Sequence, residues 1–160
     1  MIAAASRVDA AWQRLAGVLD PEMPVLSVLD LGIVRAVEAC EDGAIEVMLT
    51  PTYSGCPAIE AIESAVVDAL SPIGAVRVRR QLAPAWTTDW ISDEGKRKLR
   101  EYGIAPPGHA TVRVVPRQAV PCPRCGSART ERLSAFGATA CKALWRCIAC
   151  REPFEHFKPL

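Results

Sequence analysis

Two Cys-x-x-Cys pairs, Cys122-Pro123-Arg124-Cys125 and Cys147-Ile148-Ala149-Cys150, stand near the C-terminus with 21 residues between them. Two residues between paired cysteines let a tight knuckle aim both thiolates at one point, and two knuckles on adjacent hairpins complete a tetrahedron of sulfur. Zn²⁺ takes that donor set, so the tail is expected to be a zinc ribbon. Four protein thiolates leave no position for water or substrate, which makes the expected ion structural. Two other readings use the same residues. Cys122 to Cys125 followed by Gly126 also has the form of a rubredoxin knuckle and would suit an iron-only electron carrier, although Arg151 follows Cys150 where such a site would have glycine. Thiol redox chemistry is the third.

Cys141, Cys147 and Cys150 form a C-x5-C-x2-C run that could offer three ligands to a cluster. The four-cysteine set is complete without Cys141, so Cys141 is read as structural or spare, with alternative or transient ligation as the competing reading. Cys40, before a hairpin turn, is read as a small packed hydrophobe. Neither His109 nor His156 stands at ligand spacing with another strong candidate.

A second chemical centre is expected at Thr50-Pro51-Thr52-Tyr53-Ser54-Gly55-Cys56-Pro57, which connects a strand to a helix. Proline suits the first helical position, which would put Cys56 at the helix N-cap. Free backbone N–H groups and the helix dipole would then favour the thiolate, while Glu60 and Glu63 in the first turns would oppose it. A buried, unreactive cap residue is the alternative. Loops at strand ends in helix-covered sheets often carry ligand sites, which favours a functional thiol. Asp20 and Glu22 could bring carboxylates to the same end of the domain as ligands or orienting groups, or serve only as a surface turn.

The elements that must position these groups follow from periodicity. Val8, Ala11, Trp12, Leu15, Val18 and Leu19 recur with helical period from Ser6 to Leu19, with Ser6 and Asp9 as a capping pair. Asp20-Pro21 ends that helix. A strand is expected from Ile33 to Ala39, a turn at Asp42-Gly43, and a return strand with Ile45, Val47 and Leu49 on one face and Glu46 and Met48 on the other. A helix from Pro57 to Leu70, a strand from Ala75 to Leu82 and a helix from Ser92 to Gly103 complete the order αββαβα. The run Lys96, Arg97, Lys98 and Arg100 falls where the helix dipole favours positive charge and reads as a solvated face. Thr111 to Val115 reads as an edge strand or a lead into the ribbon. The expected division is an α+β domain with a mixed sheet over 1–105, a linker or edge strand over 106–118, and the ribbon over 119–160.

Half of the 160 residues are hydrophobic, enough for one packed domain and a small module. That module has too few large apolar residues to fold without metal. No stretch approaches the roughly 20 apolar residues that span a bilayer, and the N-terminus lacks a basic segment followed by an apolar core. With seven cysteines and no disulfide framework, a soluble protein of the reducing cytoplasm is expected. Residues 1–116 hold 11 Lys/Arg against 15 Asp/Glu, and residues 117–160 hold 8 against 3. The basic tail suits either nucleic acid or an acidic protein surface. Few aromatics beyond Phe136, Trp145, Phe154 and Phe157 could stack on bases, which disfavours the first.

Asp20-Pro21-Glu22, Asp30-Leu31-Gly32-Ile33-Val34 and the Thr50–Pro57 segment resemble the MIP18 (DUF59) family, small α+β domains associated with iron-sulfur protein maturation. Trp86-Thr87-Thr88-Asp89-Trp90, Phe136-Gly137, Cys141-Lys142-Ala143-Leu144 and Cys147 to Phe154 resemble the PaaD family, which accompanies the bacterial phenylacetyl-CoA epoxidase system. The resemblance spans about Val8 to Lys158. It implies aerobic phenylacetate degradation, in which a multicomponent di-iron oxygenase epoxidises the ring of phenylacetyl-CoA and a reductase with flavin and a [2Fe-2S] centre supplies electrons. The family's Cys-Pro motif maps onto Cys56-Pro57 and its acidic motif onto Asp20-Pro21-Glu22. The chain lacks the Glu-x-x-His pair of di-iron bundles and any flavin or nicotinamide fingerprint. A non-catalytic accessory or maturation factor is therefore expected, with Cys56 as a transient ligand for iron or an iron-sulfur cluster and the ribbon as a docking platform. Its expected partners are the oxygenase and reductase components and iron-sulfur assembly proteins; the alternative is an adaptor or structural subunit without cluster chemistry. A homodimer is compatible with either.

Overall fold

Alternation writes the first sheet. In the computed structural model, which describes residues 4–108 and 119–160, Ile45, Val47 and Leu49 are fully buried, while Glu46 and Met48 between them remain partly open. This strand, β2 (Ile45–Leu49), pairs antiparallel with β1 (Val34–Ala39) and parallel with β3 (Val76–Arg80), giving a mixed sheet of order β1-β2-β3. The hairpin turns at Gly43, whose positive φ of 83° suits glycine. Beside it the Asp42 carboxylate accepts from the Ala44 amide and pairs with Arg77.

Two helices supply the apolar residues that cover this sheet. α1 (Ala4–Leu15) buries Ala11 and Leu15, and α2 (Ile59–Leu70) buries Ile62, Val66 and Leu70. Their spacing is that of a helix with one apolar stripe. α1 ends four residues before the expected Leu19: Gly17 and Val18 donate to Arg14 and Leu15, three residues back, which tightens the chain out of the α-helix. It also begins before Ser6, so Ser6 is not its N-cap.

The second part of the chain carries α3 (Asp93–Glu101) and strands β4 (Ile104–Ala105), β5 (Thr130–Ser134), β6 (Lys142–Cys147) and β7 (Pro153–Phe157). The sheet order is β4-β7-β6-β5, with β5, β6 and β7 antiparallel and β4 parallel to β7. In α3, Arg97 pairs with Glu94 and Glu101 on an exposed face, as expected of a solvated basic run. Contacts group Met1–Trp86 and Trp90–Ser92 as one compact unit, and Thr87–Asp89 and Asp93–Leu160 as the other, so α3 packs with the second. A small core of Ala105, Val120, Cys122, Cys147 and Phe154, with Trp145 against it, holds the second unit.

The architecture is α+β, a helix-covered mixed sheet followed by a ribbon. Among the described residues, no helix is long and apolar enough to cross a membrane. The expected strand at Thr111–Val115, and His109, lie outside the described residues.

Candidate functional site

The two Cys-x-x-Cys pairs close on one another. Cys122 and Cys125 sit on a turn before β5, where the Cys122 amide donates to Ser127 O at 3.0 Å and the Gly126 amide returns to Cys122 O at 2.9 Å. Cys147 ends β6 and Cys150 follows on the turn into β7. Here the Cys147 amide donates to Glu152 O at 3.0 Å, and the Ile148 amide ties the turn to Arg129 O at 2.8 Å. Each turn needs left-handed backbone just after its second cysteine, at Gly126 (φ 73°) and Arg151 (φ 64°).

These turns bring all four Sγ atoms within 4.8 Å of one another. Cys122 and Cys150 are 3.8 Å apart, and Cys125 and Cys147 are 3.5 Å apart. Metal–sulfur bonds of about 2.3 Å in a tetrahedron require sulfur separations of about 3.8 Å, so the thiols fit one ion as they stand. The four-cysteine group is a metal-binding site. Cys122 and Cys147 are buried and Cys125 is open to solvent.

Without metal the thiols share charge unevenly. The Cys150 amide donates to Cys147 Sγ at 3.5 Å. That contact, opposed by desolvation and helped by the Cys125 thiol, lowers the Cys147 pKa to about 6. The Glu152 amide favours a Cys150 thiolate, but desolvation and the neighbouring sulfurs outweigh it and push Cys150 up to about 12. A divalent cation would remove this asymmetry by displacing the remaining protons.

Cys141 lies outside the gathered set. It is buried, with Sγ 3.0 Å from Thr139 Oγ1. His156 is also buried and packs edge-on against the Trp145 ring, away from any ligand group.

Cys56 sits on the loop between β2 and α2, and α2 begins later than expected, at Ile59. The Ile59 amide donates to Cys56 O through a three-residue turn, and the Cys56 amide donates to Tyr53 O at 3.2 Å. Cys56 therefore precedes a short turn that leads into the helix, and it is 8% exposed. Glu63, expected to oppose a thiolate, is taken up by Arg80, whose Nη2 donates to it at 2.8 Å and holds its carboxyl below the usual range.

Beside this loop lies a cavity of about 160 Å³ lined by Thr50, Thr52, Tyr53, Ser54, Leu82 and Trp86, among others. Thr50 is 1% exposed and its hydroxyl oxygen has no hydrogen-bond partner. A buried unpaired hydroxyl is costly, and such groups are few in native folds. No signal in the sequence singled out Thr50.

Asp20 is buried, and its Oδ1 accepts from the amides of Glu22 and Met23 at 2.8 and 2.7 Å. It caps the Asp20–Pro24 turn. Glu22 is half-buried. The structure does not gather Asp20, Glu22 and Cys56 into a ligand cluster: among the described residues, the four ribbon cysteines form the group of metal-ligating atoms. The Asp30-Leu31-Gly32 motif also has a structural role. Asp30 Oδ2 accepts from the Ser27 amide, Asp30 O accepts from the Ser92 amide, and Leu31 O accepts from Trp86 Nε1 at 2.8 Å.

Residues 9–80 match the family described as iron-sulfur cluster assembly protein, and residues 106–158 match the PaaD zinc beta ribbon domain. The chain is 49% identical over 155 residues to a putative 1,2-phenylacetyl-CoA epoxidase subunit from Escherichia coli K12, covering 95% of this chain and 93% of that one. It is 34% identical over 90 residues to an Fe-S protein maturation auxiliary factor of Porphyromonas gingivalis, covering 54% of this chain and 85% of that one. The crystal structure of a DUF59 domain from Bacillus anthracis shares the fold with a TM-score of 0.51 at 22% identity, over 59% of this chain and 92% of that one.

Proposed function

We infer what the protein does from its family: the chain belongs to the PaaD family, an iron-sulfur assembly domain joined to a PaaD zinc ribbon. It acts as an accessory factor of a phenylacetyl-CoA epoxidase system, assisting assembly of an iron-sulfur or di-iron centre in the reductase or oxygenase component. Cys56 is a transient ligand for the iron or cluster that is handed on, with Glu22 as a supporting carboxylate. The ribbon holds one structural Zn²⁺ and serves as the docking platform. The observation that carries this reading is the joining of both modules in one chain, with 49% identity to an epoxidase component over nearly its full length.

The buried position of Cys56 supports a thiol kept from solvent until a partner or cargo arrives. The test is made in cells producing the whole oxygenase system. Replacing wild type by Cys56→Ala is expected to lower iron and acid-labile sulfide in the reductase, or iron in the oxygenase, while this protein stays folded and retains its zinc. Unchanged iron loading and turnover would sink the reading.

The Escherichia coli relative is named as a component of the epoxidase itself, which favours a second reading: an adaptor that remains bound to the oxygenase without handling a cluster. Stoichiometric co-purification, with full iron loading in Cys56→Ala, would select it.

A further inference from the structure

Strand register in the second unit sets a row of side chains on one sheet face. Ala105 of β4 pairs with His156 of β7, which pairs with Ala143 of β6; one step along, Phe154 pairs with Trp145, and Trp145 with Arg132 of β5. Residues opposite one another on neighbouring strands share a face, as do residues two apart along a strand. Small side chains at 105 and 143 flank His156, so the face is hollow there. A cavity of about 780 Å³ opens over it, walled by Pro106, Val120, Pro121 and Trp145. Organic ligands occupy sites of roughly 300–1,000 Å³, whereas a bare ion fills only a small part of such a space.

Several polar side-chain groups that line this space have no hydrogen-bond partner among the described residues. His156 is 8% exposed, and its imidazole makes no hydrogen bond to a described residue. Trp145 Nε1 is buried and equally unpaired. A buried donor left dry is unfavourable until an acceptor arrives. Arg100 and Arg132 also line the cavity, and neither guanidinium has an ion-pair or hydrogen-bond partner among the described residues. Nearby cations are already engaged: Arg97 with Glu94 and Glu101, Lys142 with Glu155, and Arg146 with Glu131. No Asp or Glu is among the described lining residues. Burial keeps the imidazole neutral, so the positive charge of the site comes from side chains with basic ends.

We propose that this cavity binds an amphipathic organic anion: its carboxylate or phosphate meets Arg100 and Arg132, its apolar body lies along Ala105, Val120 and the Trp145 ring, and an acceptor atom takes the Trp145 Nε1 hydrogen. Guanidinium groups repel a metal ion and pair well with planar or tetrahedral oxyanions. Inorganic phosphate would leave the apolar walls uncovered.

The test uses the full-length, metal-loaded protein and 8-anilinonaphthalene-1-sulfonate, an organic anion whose emission rises when it leaves water. One saturable site per chain is expected. The Arg100→Gln/Arg132→Gln double variant should bind roughly tenfold more weakly or worse. Trp145→Phe, which keeps an aromatic ring and removes the N–H, should also weaken binding. Zinc content and circular dichroism matching wild type separate loss of the site from loss of the fold. Displacement by benzoate assigns the carboxylate class, and displacement by phenyl phosphate assigns the phosphate-ester class. Absence of saturable binding, displacement by neither, or unchanged affinity in the folded double variant would overturn the proposal.

Discussion

Arg151 occupies left-handed backbone, at φ 64°, in the place that Gly126 fills at φ 73° in the other knuckle. That conformation costs an L-residue about 1–2 kcal/mol, and glycine avoids the cost at the expense of a more flexible unfolded chain. Arg151→Gly is therefore expected to stabilise the metal-loaded second unit by about 1 kcal/mol, and Gly126→Ala to destabilise it by a similar amount. The check is a shift of the denaturant midpoint at constant slope. An Arg151→Gly variant no more stable than wild type would mean that the Arg151 side chain contributes a contact of equal size.

Metal and fold should be one equilibrium in the ribbon, because the second unit's apolar core is small and two of its residues, Cys122 and Cys147, are ligands. Chelation is expected to abolish hydrogen-exchange protection in β5–β7 while β1–β3 stay protected. Cys147→Ala should do the same without chelator, whereas Cys56→Ala should keep the metal. Protection of β5–β7 that survives metal removal would show that the apolar core suffices.

Gly32 has positive φ, 68°, and a Cβ added there would come within 2.5 Å of Trp90 O. Both backbone and space exclude a side chain, so Gly32→Ala is expected to cost at least about 2 kcal/mol in urea unfolding of the first unit. A cost below about 0.5 kcal/mol would show that the Trp86–Ser92 segment can move away freely.

Burial lowers the His156 pKa from 6.5 to about 4. The unfolded chain then binds a proton that the folded chain refuses, so the stability contribution is full above about pH 6.5 and is lost as pH falls toward 4. The loss is on the order of 3 kcal/mol at most. His156→Gln cannot titrate, so its acid unfolding should be shallower than that of wild type across pH 4–6.5, with metal release common to both. Identical pH profiles would mean that the imidazole protonates in place.

Legibility in the sequence followed how local each cause is. The knuckles could be read because two residues between cysteines set a turn and one ion joins two turns. The strands β1 and β2 could be read because one buried face imposes a period of two, visible in Ile45, Val47 and Leu49. The end of α1 could not, since Val18 and Leu19 keep the apolar spacing while Gly17 loosens the backbone beneath it. The start of α2 falls at Ile59 although Pro57 fits a first helical position, because the chain uses Pro57 in a preceding turn. Thr50 was invisible: the cavity it lines is also walled by Leu82 and Trp86, more than 30 residues away in the chain. Arg80 pairs with Glu63 from 17 residues away in the chain. The Asp30-Leu31-Gly32 motif was legible only by resemblance, because its hydrogen bonds run to Trp86 and Ser92.

Asp20 and Glu22 looked alike in the sequence, and the structure gives them different tests. Asp20 Oδ1 holds two amides, so Asp20→Ala should destabilise the first unit by about 1–2 kcal/mol, whereas Asp20→Asn, which keeps an acceptor, should cost clearly less. The Glu22 side chain makes no hydrogen bond to a described residue, so Glu22→Ala should leave stability within about 0.5 kcal/mol. If Glu22 supports Cys56 in handling iron, Glu22→Ala should reduce iron loading of the epoxidase components at unchanged stability, and Asp20→Asn should not. Equal loading in Glu22→Ala and wild type would leave Asp20 as the structural member of the acidic motif and remove Glu22 from the site. Measuring unfolding and iron loading on the same variants is what separates a turn that positions the loop from a carboxylate that meets the cargo.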